Sequence, residues 1–278
     1  RILRRGEVRV NSGRIQPRYK IKAGDRVRIP PVRVAASKPS AVPANRLAGI
    51  ESRIVFENSR LLVIDKPAGI AVHGGSGIRH GIIEILRARR PDAPYLELVH
   101  RLDRDTSGCL IIAKRRSALR ALHEQLRNGQ VTKRYLALVR GRWKGGRRRV
   151  TAALKKNTLQ GGERMVRVDT DGKPAATVFH PVSTYQTASL VEVDLHTGRT
   201  HQIRVHAAHI GYPLAGDPRY GDPEFNRTMK ALGLRRLFLH AQLLEFTGPG
   251  SGEVLTVSAP LGAELKQVLD NLESPGND

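Results

Sequence analysis

A chain of 278 residues with 40% apolar and 26% charged side chains has the balance of one large globular domain or two small ones, which excludes disorder along its whole length. Its apolar runs, such as residues 109–113, fall far short of the roughly 20 residues a membrane-spanning helix needs, and a lone cysteine, Cys109, excludes a disulfide scaffold and a thiolate zinc site. Forty-eight Lys and Arg against 25 Asp and Glu leave a formal charge of +23, so a polyanion is the expected partner. Nucleic acid is favoured over a membrane surface, because no strongly apolar, Lys-rich amphipathic helix is present to insert into one. The single cysteine and the absence of an apolar leader after Arg1-Ile2-Leu3-Arg4-Arg5 fit the cytoplasm, and the opening reads as the interior of a domain that starts upstream.

Residues 1–34 hold eleven Arg and Lys against Glu7 and Asp25, and read as short strands over 7–11, 14–21 and 25–29. Asn11-Ser12-Gly13 and Lys22-Ala23-Gly24 supply the turns, since Asn and Gly tolerate the positive φ that tight turns require. Arg4-Arg5-Gly6-Glu7-Val8-Arg9-Val10-Asn11 followed by Lys22-Ala23-Gly24-Asp25-Arg26-Val27 resembles the latter half of the S4 RNA-binding module. On that resemblance Arg4, Arg5, Arg9 and Arg14 are candidate RNA contacts; the alternative is a basic hairpin that is merely solvated. Residues 35–53, with Pro39 and Pro43 among small residues just after Pro30-Pro31, read as an extended linker.

From Ile54 the chain changes to Val- and Ile-bearing strands over 61–65, 110–113, 135–139 and 190–195. Leu119, Leu122 and Leu126 stand at helical spacing within 117–126, and a second such stretch covers 263–272. Strands outnumber helices without alternating with them, so the expected class is α+β with a mixed, largely antiparallel sheet flanked by helices. Residues 145–149 form a basic, Gly-rich loop.

The densest chemistry lies in His100-Arg101-Leu102-Asp103-Arg104-Asp105-Thr106-Ser107-Gly108, a charged loop anchored to an apolar strand. Its His-Arg-Asp echo of a kinase catalytic loop lacks the Gly-rich phosphate loop and the Asp-Phe-Gly that would support it, and no Gly-x-Ser-x-Gly elbow supports a serine hydrolase around His73-Gly74-Gly75. His201, His206 and His209 lack the carboxylate or His-Glu-x-x-His pattern of a zinc site, so core or RNA-contacting histidines are expected and no metal.

The nine positions from His100 match without a gap the His-Arg-Leu-Asp-x-x-Thr-Ser-Gly signature of the RluA/RluC/RluD family of pseudouridine synthases. Asp65-Lys66-Pro67-Ala68-Gly69, Lys133-Arg134-Tyr135-Leu136-Ala137-Leu138-Val139, residues 197–206 (TGRTHQIRVH) and Gly216-Asp217-Pro218-Arg219-Tyr220-Gly221 are similar to further motifs of that family, in the same order. The details Val72-His73-Gly74-Gly75 and Ser117-Ala118-Leu119-Arg120 resemble the members that act on the ribosomal large subunit. The resemblance implies a partial S4-like RNA-binding domain over 1–34, a linker over 35–53 and a pseudouridine synthase catalytic domain over 54–278. It implies conversion of specific uridines in large-subunit (23S) ribosomal RNA, no cofactor, and a monomer.

By the same resemblance Asp103 is the essential aspartate, acting as a nucleophile at C1′ or as a base on the neighbouring sugar proton, with neither route preferred. Arg204 matches the arginine that pairs with it, and a carboxylate in a partly dry pocket needs such a fixed cation. Tyr135 matches the tyrosine that packs on the uracil and is a candidate proton acceptor for C5. Arg101 matches a residue that fills the space left by the extruded base. Lys66 and Pro67 are expected to shape a supporting loop. Two other functions compete: a non-catalytic RNA-binding or ribosome-assembly factor on the same fold, and a synthase acting on transfer RNA.

Overall fold

The structure is a computed structural model that describes residue 3 and residues 6–16, 18–31, 49–75, 80–158 and 164–273. The chain divides into two compact units, Arg1–Ala41 and Val42–Asp278. Arg4, Arg5 and most of the expected linker lie outside the described residues.

In the smaller unit three antiparallel strands, β1 (Arg9–Val10), β2 (Gly13–Arg14) and β3 (Val27–Arg28), pair in the order β2-β1-β3. Asn11 and Ser12 take φ of 49° and 69°, the left-handed pair that a tight two-residue hairpin turn requires. Asp25 fastens the third strand to this turn: it accepts from Asn11 Nδ2 at 2.8 Å, from the Lys22 amide at 2.8 Å and from the Tyr19 hydroxyl at 3.0 Å. The long strand expected over 14–21 reduces to Gly13–Arg14. Beyond it the Tyr19 amide turns back to the Gln16 carbonyl at 2.9 Å, and position 17 of the expected run lies outside the described residues.

The larger unit is built on a ten-stranded mixed sheet. Its path runs β4 (Ile54–Glu57), β5 (Leu61–Lys66), β7 (Ser107–Ala113), β14 (Leu239–Thr247), β8 (Thr132–Arg140), β13 (Ala188–Leu195), β12 (Ala176–Thr184) and β9 (Arg148–Thr151). Two further strands join it, β6 (Glu97–Leu98) on β7 and β15 (Val254–Ser258) on β14. β10 (Leu154–Thr158) and β11 (Arg164–Val168) form a separate antiparallel ribbon. Among the described residues five α-helices complete the unit: α1 (Ile82–Arg89), α2 (Arg116–Arg127), α3 (Gln202–His209), α4 (Pro223–Ala231) and α5 (Ala263–Glu273).

β7 is buried at all seven positions and β5 at five of six, which is why both read as unbroken apolar runs: each has both faces covered. The pairs along the sheet are antiparallel except β7 with β14, where Ser107 faces His240 and Gly108 faces Ala241. At this seam Gly108 takes φ of 106°, and a Cβ there would collide with the Ala241 backbone. The glycine that ends the nine-residue signature is thus a packing requirement, because only a residue without a side chain lets the 99–106 loop enter the sheet here. Gly108→Ala is expected to lower stability by about 3 kcal/mol or more in urea denaturation, since it adds both a clash and a disfavoured φ; an unchanged midpoint would remove the seam as the constraint.

Candidate active site

Asp103 lies in the loop between β6 and β7. Two ties hold that loop to the segment after β5: the Arg104 carbonyl accepts from the Gly69 amide at 2.9 Å and from Lys66 Nζ at 3.0 Å. Lys66 is completely buried and also donates to the carbonyls of Pro67 and Ile70, each at 2.8 Å. Burial pushes its ammonium down to about 7, against the opposing pull of Asp105 and Asp103. Lys66 therefore pins the loop that carries Asp103 and, with its nitrogen spent on carbonyls, faces no substrate.

A narrow cleft of about 80 Å³ opens over Asp103 and is lined also by Tyr135, His201, Arg204, Arg101 and Leu239. Tyr135 comes from β8, opposite Ala241 of β14 and Val193 of β13, so its ring emerges from the middle of the sheet. Burial, reinforced by the Asp103 charge, pushes its phenol well above the ordinary tyrosine range. The phenol is thus protonated at neutral pH, and to accept a proton it must pass its own onward.

Arg204 stands in the first turn of α3 and is 5% exposed. Its Nε and Nη2 each donate to Asp217 at 2.7 Å, while Nη1 lies 3.9 Å from Asp103 Oδ2. The pairing expected between Arg204 and Asp103 is therefore the looser of two contacts, and the fork of the guanidinium belongs to Asp217. That carboxylate is buried too, and accepts in addition from the amides of Arg219 at 2.9 Å and Tyr220 at 3.1 Å. Burial alone would raise the Asp217 carboxyl, yet the Arg204 bonds and these two amides prevail and hold it below the usual carboxylate range. Burial likewise acts to lower the Arg204 guanidinium, and the two carboxylates reverse it.

His201 caps the start of α3 with φ of 54°, an uncommon left-handed conformation for a side chain of its size. Its Nδ1 bonds the Tyr220 hydroxyl at 2.9 Å, and its Nε2 faces Asp103 Oδ2 at 3.9 Å. Burial holds the imidazole below its usual value despite the Asp103 charge. The Tyr220 ring lies under the Arg204 guanidinium, 5.0 Å from its carbon. Gln202 closes the preceding loop by accepting from Thr197 Oγ1 at 2.7 Å and from the Arg199 amide at 3.0 Å. His206 is fully buried with both ring nitrogens in hydrogen bonds, to Thr177 and to the Ala152 carbonyl, as befits a core histidine.

The structure thus brings Asp103, Tyr135, Arg204 and Arg101 to one cleft, whereas Arg9 and Arg14 lie in the smaller unit. Asp217 and Tyr220 have no role expected from the sequence, and His201, expected only as a core or RNA-contacting histidine, faces Asp103 in the cleft. The signal for the first two lies in the compact motif at 216–221, where two amides two and three residues after an aspartate fold back on its carboxylate.

A carboxylate, a clamped arginine and a buried tyrosine thus line one narrow cleft in a mixed sheet. The profile of the RNA pseudouridylate synthase family matches residues 60–209. The chain belongs to that family and is a pseudouridine synthase, an isomerase of uridine in RNA. It is 56% identical over 278 residues to ribosomal large subunit pseudouridine synthase C of Escherichia coli K12, covering 99% of this chain and 87% of the relative. Against the protein of the same name from Pasteurella multocida it is 56% identical over 274 residues, covering 98% and 84%. Among solved structures, human RNA pseudouridylate synthase domain containing 4 superposes with a TM-score of 0.68 at 26% identity, covering 83% of this chain and 97% of the other.

The buried Arg204–Asp217 pair has a direct consequence. Asp217→Asn keeps the shape but leaves a buried guanidinium without its counter-charge, so stability is expected to fall by about 3 kcal/mol and turnover by at least about tenfold, with RNA affinity little changed. Since the folded Asp217 carboxyl is held below its ordinary 3.8, the stability it adds is fully present above that pH and is lost as pH falls through the folded value. Urea titrations of both proteins between pH 3 and 7 check this: the variant should lack that acid-dependent component, and equal stability at pH 7 would show that Asp217 does not clamp Arg204.

Proposed function

We propose that this enzyme converts specific uridines of large-subunit (23S) ribosomal RNA to pseudouridine, with Asp103 as its essential carboxylate. The observation that carries the substrate is the 55–56% identity, over nearly the whole chain, to relatives named ribosomal large subunit pseudouridine synthase C. For the aspartate, the support is its place in the cleft, facing Arg204 and His201 and beside Tyr135.

The reaction breaks the bond from N1 to C1′, turns the uracil and joins C5 to C1′. Asp103 assists departure by bonding to C1′ as the electron pair leaves with N1, or by taking the C2′ proton. The uracil anion rotates; in the first route C5 then displaces the Asp103 carboxylate from C1′, and in the second C5 bonds to C1′ of the glycal as Asp103 returns the proton to C2′. In both the C5 proton is removed and N1 gains one, so nothing is oxidised or hydrolysed. Arg204 keeps a positive charge beside the carboxylate, clamped by Asp217 against drifting onto the RNA phosphates. Tyr135 supports the ring, and Arg101 at the exposed mouth of the cleft holds the gap left by the extruded base. On unmodified 23S rRNA transcribed from the Escherichia coli sequence, the wild-type enzyme is expected to convert a few discrete uridines, mapped by carbodiimide stops in primer extension. Asp103→Asn should convert none while binding the RNA within a few-fold of wild type. Turnover by the variant would overturn the role of Asp103, and conversion of transfer RNA alone would overturn the substrate.

The basic unit before the linker supplies RNA affinity and no chemistry. Arg9 stands directly opposite both Arg14 and Arg28 in the three-stranded sheet. Like charges placed opposite one another are unfavourable in the free protein and are relieved by a polyanion laid across them. Each phosphate contact adds about 0.7 to the logarithmic salt dependence on single-stranded RNA. Removing residues 1–34 should therefore flatten that slope by about 2 in filter binding while turnover on a short, saturating fragment survives. An unchanged slope with both proteins folded would make this charge merely solvated surface.

A further inference from the structure

Beside the catalytic cleft lies a second cavity, of about 470 Å³, between the β10–β11 ribbon and the loop that precedes α3. The two share Arg101, Gly198, Arg199 and Thr200, so one thin wall separates them. Leu154 and Val166, both buried, form an apolar floor. Around it stand Lys155, Lys156 and Lys173, with Asp171 the one carboxylate among the described residues that line the cavity. Asp171 is taken by Lys155 at 3.3 Å, whereas among the described residues no carboxylate lies within ion-pair distance of Lys156, Lys173 or Arg101. Lys156 faces Val166 across the ribbon, which sets a cation directly beside the apolar floor.

An apolar floor with unpaired cations at its edge suits a flat base joined to a phosphate, and the volume falls within the ~300–1,000 Å³ of ordinary ligand clefts. The wall is also tied to the chemistry. The Val166 amide donates to the Tyr220 hydroxyl at 3.0 Å, and that hydroxyl bonds His201, which faces Asp103. The geometry points to a subsite for the nucleotide covalently adjacent to the target uridine, its base over Leu154 and Val166 and its phosphate between Lys156 and Lys173. This rests on the uridine-isomerising reading above. It makes the ribbon a determinant of which uridines are chosen, since a neighbour that cannot leave its stack to enter the cavity leaves Arg101 and Arg199 without the strand that orients the target.

The test uses short synthetic fragments of Escherichia coli 23S rRNA centred on a uridine that the mapping shows converted. A neutral methylphosphonate replaces one phosphate at a time on either side of it. With the wild-type enzyme, one position should raise KM about tenfold and leave kcat within about twofold. Lys156→Ala/Lys173→Ala should raise KM on the unmodified fragment by a similar factor, and should be indifferent to the methylphosphonate at that same position. Lys156→Arg/Lys173→Arg should restore KM, which shows that the alanine variant is folded and lacks only charge. Penalties that add in the alanine variant at every position, or an unchanged KM, overturn the subsite while leaving the isomerase standing. A wild-type enzyme that converts no uridine overturns both.

Discussion

A guanidinium and a carboxylate buried together cost several kcal/mol to take out of water, and that cost is offset only where both are fully bonded. Arg204 and Asp217 meet the condition: two bonds of 2.7 Å join them, and two backbone amides take up the remaining capacity of the carboxylate. Much of the cleft depends on this pair. It orients the first turn of α3, it leaves one nitrogen of Arg204 directed at Asp103, and it folds the 216–221 loop so that Tyr220 reaches both His201 and the β11 backbone. An arginine held only by Asp103 would be free to pair with any phosphate arriving with the RNA. One held first by a buried carboxylate keeps its place when the substrate brings competing anions.

Asp103, the proposed essential carboxylate, is held by backbone rather than by charge. Its loop enters the sheet at Gly108 and is tied through the Arg104 carbonyl to Gly69 and Lys66. The Lys66 ammonium is spent on three carbonyls, so the nearest cations to Asp103 are those whose geometry the cleft controls. The position of Asp103 is thus fixed by bonds that do not touch its carboxylate oxygens, which the proposed reaction needs free for the sugar.

How far the sequence discloses this depends on the range of the forces involved. The strands at 61–65 and 110–113 and the helices at 117–126 and 263–272 are visible because burial of one stripe or a whole strand writes a period into adjacent residues, and the folded elements β5, β7, α2 and α5 cover them. Asp103, Tyr135 and Arg204 stand out through the family signature, which supplies their identity but no geometry. The partner of Arg204 is thirteen residues away, in a loop beyond the end of α3, and nothing periodic connects the two. The strand expected over 14–21 is cut short for a local reason: beyond Arg14 the Tyr19 amide bonds back to the Gln16 carbonyl, a turn that β-rich composition does not disclose.

The net charge of +23 takes on a different meaning once the acids are located. Several of the carboxylates are committed to pairs inside or against the fold. Asp217 holds Arg204; Glu51 and Glu57 share Arg90, with Lys114 a further partner of Glu57; Asp169 takes Lys155 and Arg167. Among the described residues Arg9, Arg14, Arg28 and Arg101 have no carboxylate within ion-pair distance; the first three stand opposite one another and Arg101 lies on the mouth of the cleft, where the proposed function would place RNA. The charge excess is therefore less an average property of the surface than a division of roles. Acids are placed where they must set the geometry of a cation, and bases without partners are left where a phosphate can become the partner. Surface charge of this kind is screened by salt, whereas the buried pair is not. Binding can then weaken with ionic strength while the catalytic geometry stays the same, which suits an enzyme that must release each product RNA and meet the next with its cleft already formed.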